Sequence, residues 1–317
     1  MKKMTVIVAT SLILLGGILF CGLMTVLNWD FSKLSTVKYV TNEHVVTEAF
    51  ESVSIVTETA DITLVPSEDG RCRVVCHEAS KIKHTVAVQN GVLSIEIEDT
   101  RKWYEHIGFD FGDPTVTVYL PADQYKGLTV RASTGDTVIP SRFGFESIDV
   151  SVTTGDVSCR ASATGELKLA ASTGDLSLEN LSAGSLDLSV STGGVYASGV
   201  TCEGDVRITV STGDTQITNL SCNNLSSSGS TGELYLSGVI ACEKMSLTRS
   251  TGNMKLDFCD AAELYLKTDT GDISGSLLSE KVFLVTTDTG DVNVPNSVTG
   301  GRCEVVTDTG DVQITVR

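Results

Sequence analysis

The feature that most restricts this chain is a Thr-Gly step that recurs ten times at a fixed spacing from residue 134 onward. Its glycines, Gly135, Gly155, Gly174, Gly193, Gly213, Gly232, Gly252, Gly271, Gly290 and Gly310, are always 19 or 20 residues apart. A fixed period of that length means stacked supersecondary units, each unable to bury its apolar side without its neighbours. Function on such a scaffold belongs to columns of residues rather than to single positions.

Aligning the repeats on glycine shows what the columns do. Seven residues before the glycine stand Ile148, Leu167, Leu186, Val206, Leu225, Met245, Leu264, Phe283 and Cys303. Five before stand Val150, Leu169, Leu188, Ile208, Ser227, Leu247, Leu266, Val285 and Val305. Two after stand Val157, Leu176, Val195, Thr215, Leu234, Met254, Ile273, Val292 and Val312. Apolar residues at a period of two on both sides of the glycine predict two inward-facing strands per turn. The glycine supplies the positive φ of the corner between them. The threonines share the phase of the core columns, which predicts inward side chains. The fold expected is all-β, a parallel β-solenoid of the β-helix or β-roll kind with rungs of 19–20 residues.

Between Thr5 and Trp29 no residue is charged, which suffices for a membrane-spanning helix. Lys2 and Lys3 precede it, so the positive-inside rule places the N-terminus in the cytoplasm and exports the remainder. A cleaved signal peptide shares the basic start, but its apolar run is shorter and ends in a small-x-small site, so an uncleaved single-pass anchor is expected. The reading divides the chain into a cytoplasmic start and anchor (1–29), a polar stalk (30–49), an N-terminal β cap (50–130) and solenoid repeats (131–317). Short alternating segments such as Val53-Ile55, Ile62-Leu64, Val74-Cys76, Val86-Val88 and Val116-Val118-Leu120 read as the strands of the cap. The repeats then end the rod at Val316 and Arg317. A net charge of -17 offers no basic surface, so nucleic acid is not an expected partner.

Chemistry has few places to reside. The residue after the glycine is Asp136, Asp156, Asp175, Gly194, Asp214, Glu233, Asn253, Asp272, Asp291 and Asp311. Asp in a turn commonly bonds local backbone, which explains the column without a metal. The alternative is a calcium ladder over the last three repeats, where Asp269, Asp288 and Asp308 join Asp272, Asp291 and Asp311. Those repeats also spell the Asp-Thr-Gly of aspartic proteases, but three adjacent corners do not build a two-lobed cleft. Cys202, Cys222 and Cys242 recur at a spacing of 20 and are expected to stack, as buried small hydrophobes or as an inter-rung disulfide. Cys72, Cys76 and His77 form half of a zinc pattern without a second pair. The non-repetitive segment 101–111 concentrates aromatics. Trp103, Tyr104, Phe109 and Phe111 there serve either as cover for the rod's end or as a contact for a partner protein, glycan or lipid surface.

With Ser-Thr-Gly-Asp and Asp-Thr-Gly-Asp every 19 or 20 residues, and Val116-Thr117-Val118-Tyr119-Leu120-Pro121 as an entry strand, the chain resembles the bacterial putative-adhesin family of β-strand-repeat domains behind one membrane helix. The resemblance covers about residue 50 to 317. It implies no catalytic residues; no cofactor is expected apart from the calcium alternative above. The function expected is a membrane-anchored extracytoplasmic solenoid, an adhesin or envelope scaffold without catalysis, held in the membrane through residues 5–29 and contacting a cell-surface or envelope protein or glycan. The alternatives are an envelope-stress signalling partner of a membrane regulator and a polysaccharide-acting enzyme.

Overall fold

The structure, a computed structural model, describes residues 2–30, 37–103 and 112–317. The first element is α1 (Lys2–Val26), which carries no charged residue after Lys3. Its stretch Met4–Val26 is, among the described residues, the one helix long and apolar enough to cross a membrane. It stops where Asn28 and Trp29 take left-handed φ values of 55° and 58°. The Trp29 N–H then bonds the Met24 carbonyl at 2.7 Å and the Asn28 N–H bonds the Thr25 carbonyl at 3.2 Å. That pair of bonds satisfies carbonyls the helix end would leave open.

Among the described residues, every element after the helix is a β-strand. Nine strands come first: β1 (Tyr39–Val46), β2 (Ser52–Thr57), β3 (Asp61–Pro66), β4 (Cys72–Ala79), β5 (Ile82–Gln89), β6 (Val92–Asp99), β7 (Thr115–Leu120), β8 (Gln124–Thr134) and β9 (Thr137–Ile139). From β8 onward each repeat adds one parallel strand before its glycine and one after it. The pairing follows the predicted columns: Ile148 lies beside Leu167, then Leu186, Val206, Leu225, Met245 and Leu264. Their side chains form one continuous core along the rod. Fully burying one such Leu contributes about 1.5–3 kcal/mol. Neighbouring parallel strands lie about 4.8 Å apart, so the core grows by that step with every repeat.

The order of rungs departs from the order of repeats at both ends. At the start, β2 lies between β6 and β8, and β3 lies between β7 and β9. The chain forms one rung, leaves it to build an outer one, and returns to the inner side. At the other end, strand Met254–Thr270 pairs with Gly301–Thr309, which in turn pairs with Lys281–Thr289. The C-terminal repeat is therefore inserted, and the rod ends on Lys281–Thr289 and Val292–Asn293 rather than on Val316 and Arg317. Phe283 and Val285 are only half-buried, and Val292 is 47% exposed, because no further rung covers them. At the opposite end antiparallel strands close the stack: β4 pairs with β7 and β1, and β5 with β6.

Two finer expectations are corrected. The corner threonines are exposed, not inward, because the strand leaves its pleat one residue earlier. Val152 pairs with Ala171 and Thr154 with Thr173, while the residue between is skipped, and residues 153 and 154 both face solvent. Cys202 and Cys222 are buried, but Cys242 is exposed, since Cys222 pairs with Ala241 and a register shift follows. The thiols of all three are free.

Candidate functional site

Each corner begins with a glycine that no other residue replaces easily. At Gly174 φ is 132° and an added Cβ would lie 2.1 Å from the Gly155 carbonyl oxygen of the rung below. Successive corners therefore stack backbone on backbone. The next residue completes the corner. The Asp156 carboxylate accepts the backbone N–H of Asp175 at 2.8 Å, and Asp175 accepts that of Gly194 at 2.7 Å. The ladder starts at Asp61, which accepts from Asp136, and Asp136 accepts from Asp156. Gly194 interrupts it and Asp214 restarts it by accepting from Glu233. Asn253 plays the same part, its Oδ1 accepting the Asp272 N–H at 2.9 Å. An amide thus replaces the carboxylate without loss of the bond, so the column is defined by its acceptor and not by its charge.

Of the six aspartates of the last repeats, Asp272 and Asp311 follow this rule. Asp272 accepts from Asp311 and Asp311 from Asp291, in the inserted order of the rungs. Asp269 lies 3.4 Å from Lys267 Nζ, and Asp288 and Asp308 stand exposed where the strand bends. The six do not converge. Among the described residues one group of three or more His, Cys, Asp or Glu ligand atoms lies within 4.8 Å, and it is elsewhere.

Of the aromatic segment, Tyr104, Phe109 and Phe111 lie outside the described residues. Trp103 follows the end of β6 and is 79% exposed.

The converging group sits in the N-terminal cap. On β4 alternate residues face inward, which buries Cys76 and Glu78 side by side, and β5 brings in His84. His84 Nδ1 lies 2.8 Å from Glu78 Oε2, and the His84 backbone N–H donates to the same oxygen at 2.6 Å. Asn42 Nδ2 donates to Glu78 Oε1 at 2.6 Å, and Thr57 Oγ1 lies 3.0 Å from His84 Nε2. Hydroxyl, imidazole and carboxylate are thus in the order of a hydrolase triad. Thr57 is 3% exposed, however, and the adjoining cavity measures about 20 Å³, room for about one water and no substrate. Sequence reasoning paired Cys76 with Cys72 and His77 instead. His77 faces the other way, 3.1 Å from Thr41 Oγ1 and stacked on Tyr39. The available signal was the inward pair Cys76 and Glu78 followed six residues later by a histidine across a hairpin. Thr57, from a different strand, had none.

The remaining polar groups of the core are closed off as well. Arg249 takes an inward position, with Gly229 making room beside its guanidinium. It donates to the Thr248 carbonyl and to the hydroxyls of Thr215 and Ser227, which explains why those columns lose their apolar residues there. Burial holds its pKa down to about 10, and Asp214 pulls the other way. Lys281 borders a cleft of about 600 Å³ but is ion-paired to Asp260 at 2.7 Å and bonded to Ser279 Oγ. Burial pushes the Cys159, Cys222 and Cys303 thiols up to about 12, far from a reactive thiolate.

A model of the Toastrack DUF4097 family matches residues 50–214 and 204–317. Among solved structures, the chain is similar to a putative adhesin from Bacteroides fragilis NCTC 9343, at 15% identity and a TM-score of 0.43, covering 88% of this chain and 97% of that one. It is similar to a putative adhesin from Parabacteroides distasonis ATCC 8503 at 12% identity and a TM-score of 0.41, covering 88% and 98%. It is also similar to a putative lipid binding protein from the same organism at 14% identity and a TM-score of 0.37, covering 88% and 98%. No curated protein matches the chain.

Proposed function

The chain belongs to the Toastrack DUF4097 family, and we propose that it is a membrane-anchored, extracytoplasmic rod that acts by contact, as an adhesin or envelope scaffold, without catalysis. The observation that carries this reading is the corner ladder. The residues that stand out most in the sequence are occupied by one another: each glycine accommodates a neighbouring carbonyl, and Asp136, Asp156, Asp175, Asp214, Asp272 and Asp311 each accept a neighbouring N–H. What such a rod offers to other molecules is its repeated outer surface. On one side Ser151, Ala170, Ser189, Thr209, Ser228 and Thr248 lie in register, a strip of small and mostly hydroxyl-bearing side chains. Two observations fit a contact function: the triad-like group is sealed from any substrate, and burial pushes the Cys159 and Cys222 thiols up to about 12. The anchor reading rests on the apolar stretch Met4–Val26 and on Lys2 and Lys3 before it, which favour a cytoplasmic N-terminus. Retention of residues 37–317 on intact cell envelopes tests contact function, and passage of the protein through the assay without retention would refute it.

A second reading, an envelope-stress partner of a membrane regulator, is favoured by the 79% exposure of Trp103. Exposed aromatics supply much of the binding energy of protein interfaces. Replacing Trp103 and Tyr104 together by Ala then abolishes co-purification of the regulator, whereas unchanged co-purification rejects that reading.

A further inference from the structure

We propose that Cys76, Glu78 and His84 form a binding site for a divalent ion of the zinc class inside the N-terminal cap. Their ligand atoms all lie within 4.8 Å of one another, and the three residues are 0%, 1% and 5% exposed. Sulfur, imidazole nitrogen and carboxylate oxygen are the donors that zinc combines in tetrahedral sites, whereas calcium and magnesium select oxygen.

The surroundings are those of an oriented metal site. Both oxygens of Glu78 are held, Oε1 by Asn42 and Oε2 by the His84 backbone N–H. The far ring nitrogen, Nε2, faces the Thr57 hydroxyl at 3.0 Å. With the ring proton on Nε2 and donated to Thr57, the Nδ1 lone pair points toward Glu78, which is how a ligating histidine is normally fixed by an outer partner. The cavity of about 20 Å³ lined by Tyr39, Thr57, Glu78 and His84 has room for one water as fourth ligand. Charge also closes. Binding shifts the ring proton from Nδ1 to Nε2 and releases the thiol proton to solvent, so one thiolate, one carboxylate and one divalent cation form a neutral buried unit. No redox step is involved. The ion's position joins β4 to β5 and reaches β2 through Thr57, so it would fasten the strands that close the rod.

The test uses the full-length chain in detergent, stripped with chelator and titrated with zinc by calorimetry and with cobalt(II) by absorption. The expected result is one equivalent of zinc at micromolar affinity or tighter, and a thiolate-to-cobalt charge-transfer band. Cys76→Ser should remove the band and weaken zinc binding at least tenfold, while Cys242→Ser, at an exposed thiol, leaves both unchanged. A folded wild-type chain that takes up no zinc, or that shows no thiolate band with cobalt, overturns the proposal without any variant. Zinc uptake unchanged in Cys76→Ser overturns it as well.

Discussion

If the corner aspartates act as acceptors, removing the charge and removing the acceptor must have different effects, and Asp175 separates the two. Its Oδ1 accepts the Gly194 N–H at 2.7 Å, and Gly194 is buried. Asp175→Ala leaves that N–H with no partner and poor access to water, which costs about 1–3 kcal/mol. Asp175→Asn keeps an oxygen in place, as Asn253 does naturally. The amide makes a weaker bond than a carboxylate, but it also relieves repulsion between stacked carboxylates, which at a rung spacing near 4.8 Å in water is about 1 kcal/mol before salt reduces it. These two effects oppose each other, so the net change expected is within about 0.5 kcal/mol, the usual range for a surface substitution. Urea denaturation of wild type and both variants, with and without calcium, measures this. The reasoning predicts a lower midpoint for Asp175→Ala alone and no calcium effect. An Asn variant as damaged as the Ala variant, or midpoints that rise with calcium, would refute it.

Three further outcomes follow from the packing. Gly174→Ala combines a φ of 132° with a Cβ placed 2.1 Å from a backbone oxygen, and should destabilise by at least about 3 kcal/mol, strain and overlap together; a near-neutral value in thermal melts would mean the corners are looser than described. Arg249→Met should be neutral or stabilising, because an apolar residue of similar length removes a buried cation whose Nε has no partner, whereas Arg249→Ala should lose about 3 kcal/mol or more by leaving a cavity; equal losses in both variants would contradict this. Stability should be level from pH 8 to about 9 and fall above it. The folded-state thiols at Cys72 and Cys259 are raised to about 11, and those at Cys159, Cys222 and Cys303 to about 12, from an ordinary 9.0. Between those limits the folded chain binds more protons than the unfolded one, so stability is lost as pH rises. Melting temperatures from pH 8 to 11 that stay flat would show that these thiols are not held protonated.

The repeat made the core legible. The columns at seven and five before glycine and two after it are the inward columns, and Ser227 and Thr215, where they break, are the hydroxyls that face the buried Arg249. The order of rungs at the ends was not legible for a physical reason. Leu264 can pack equally on Phe283 or on Cys303, both apolar at the same register, so the pattern identifies rungs without ranking them. The threonine phase misled because alternation assumes an unbroken pleat, and the backbone bends one residue before the threonine. The cap cluster escaped because its members come from β1, β2, β4 and β5, and only contact between those strands brings Asn42, Thr57, Glu78 and His84 together.

The central claim, that this rod works by contact through its outer surface and not through its corner chemistry, is tested most directly by retention of residues 37–317 on intact envelopes, with and without calcium. The measurement is made on wild type and on a variant carrying Asn at positions 269, 272, 288, 291, 308 and 311. The account predicts retention that is independent of calcium and equal for both proteins. No retention of the wild type, or retention that requires calcium and disappears in the variant, would contradict it.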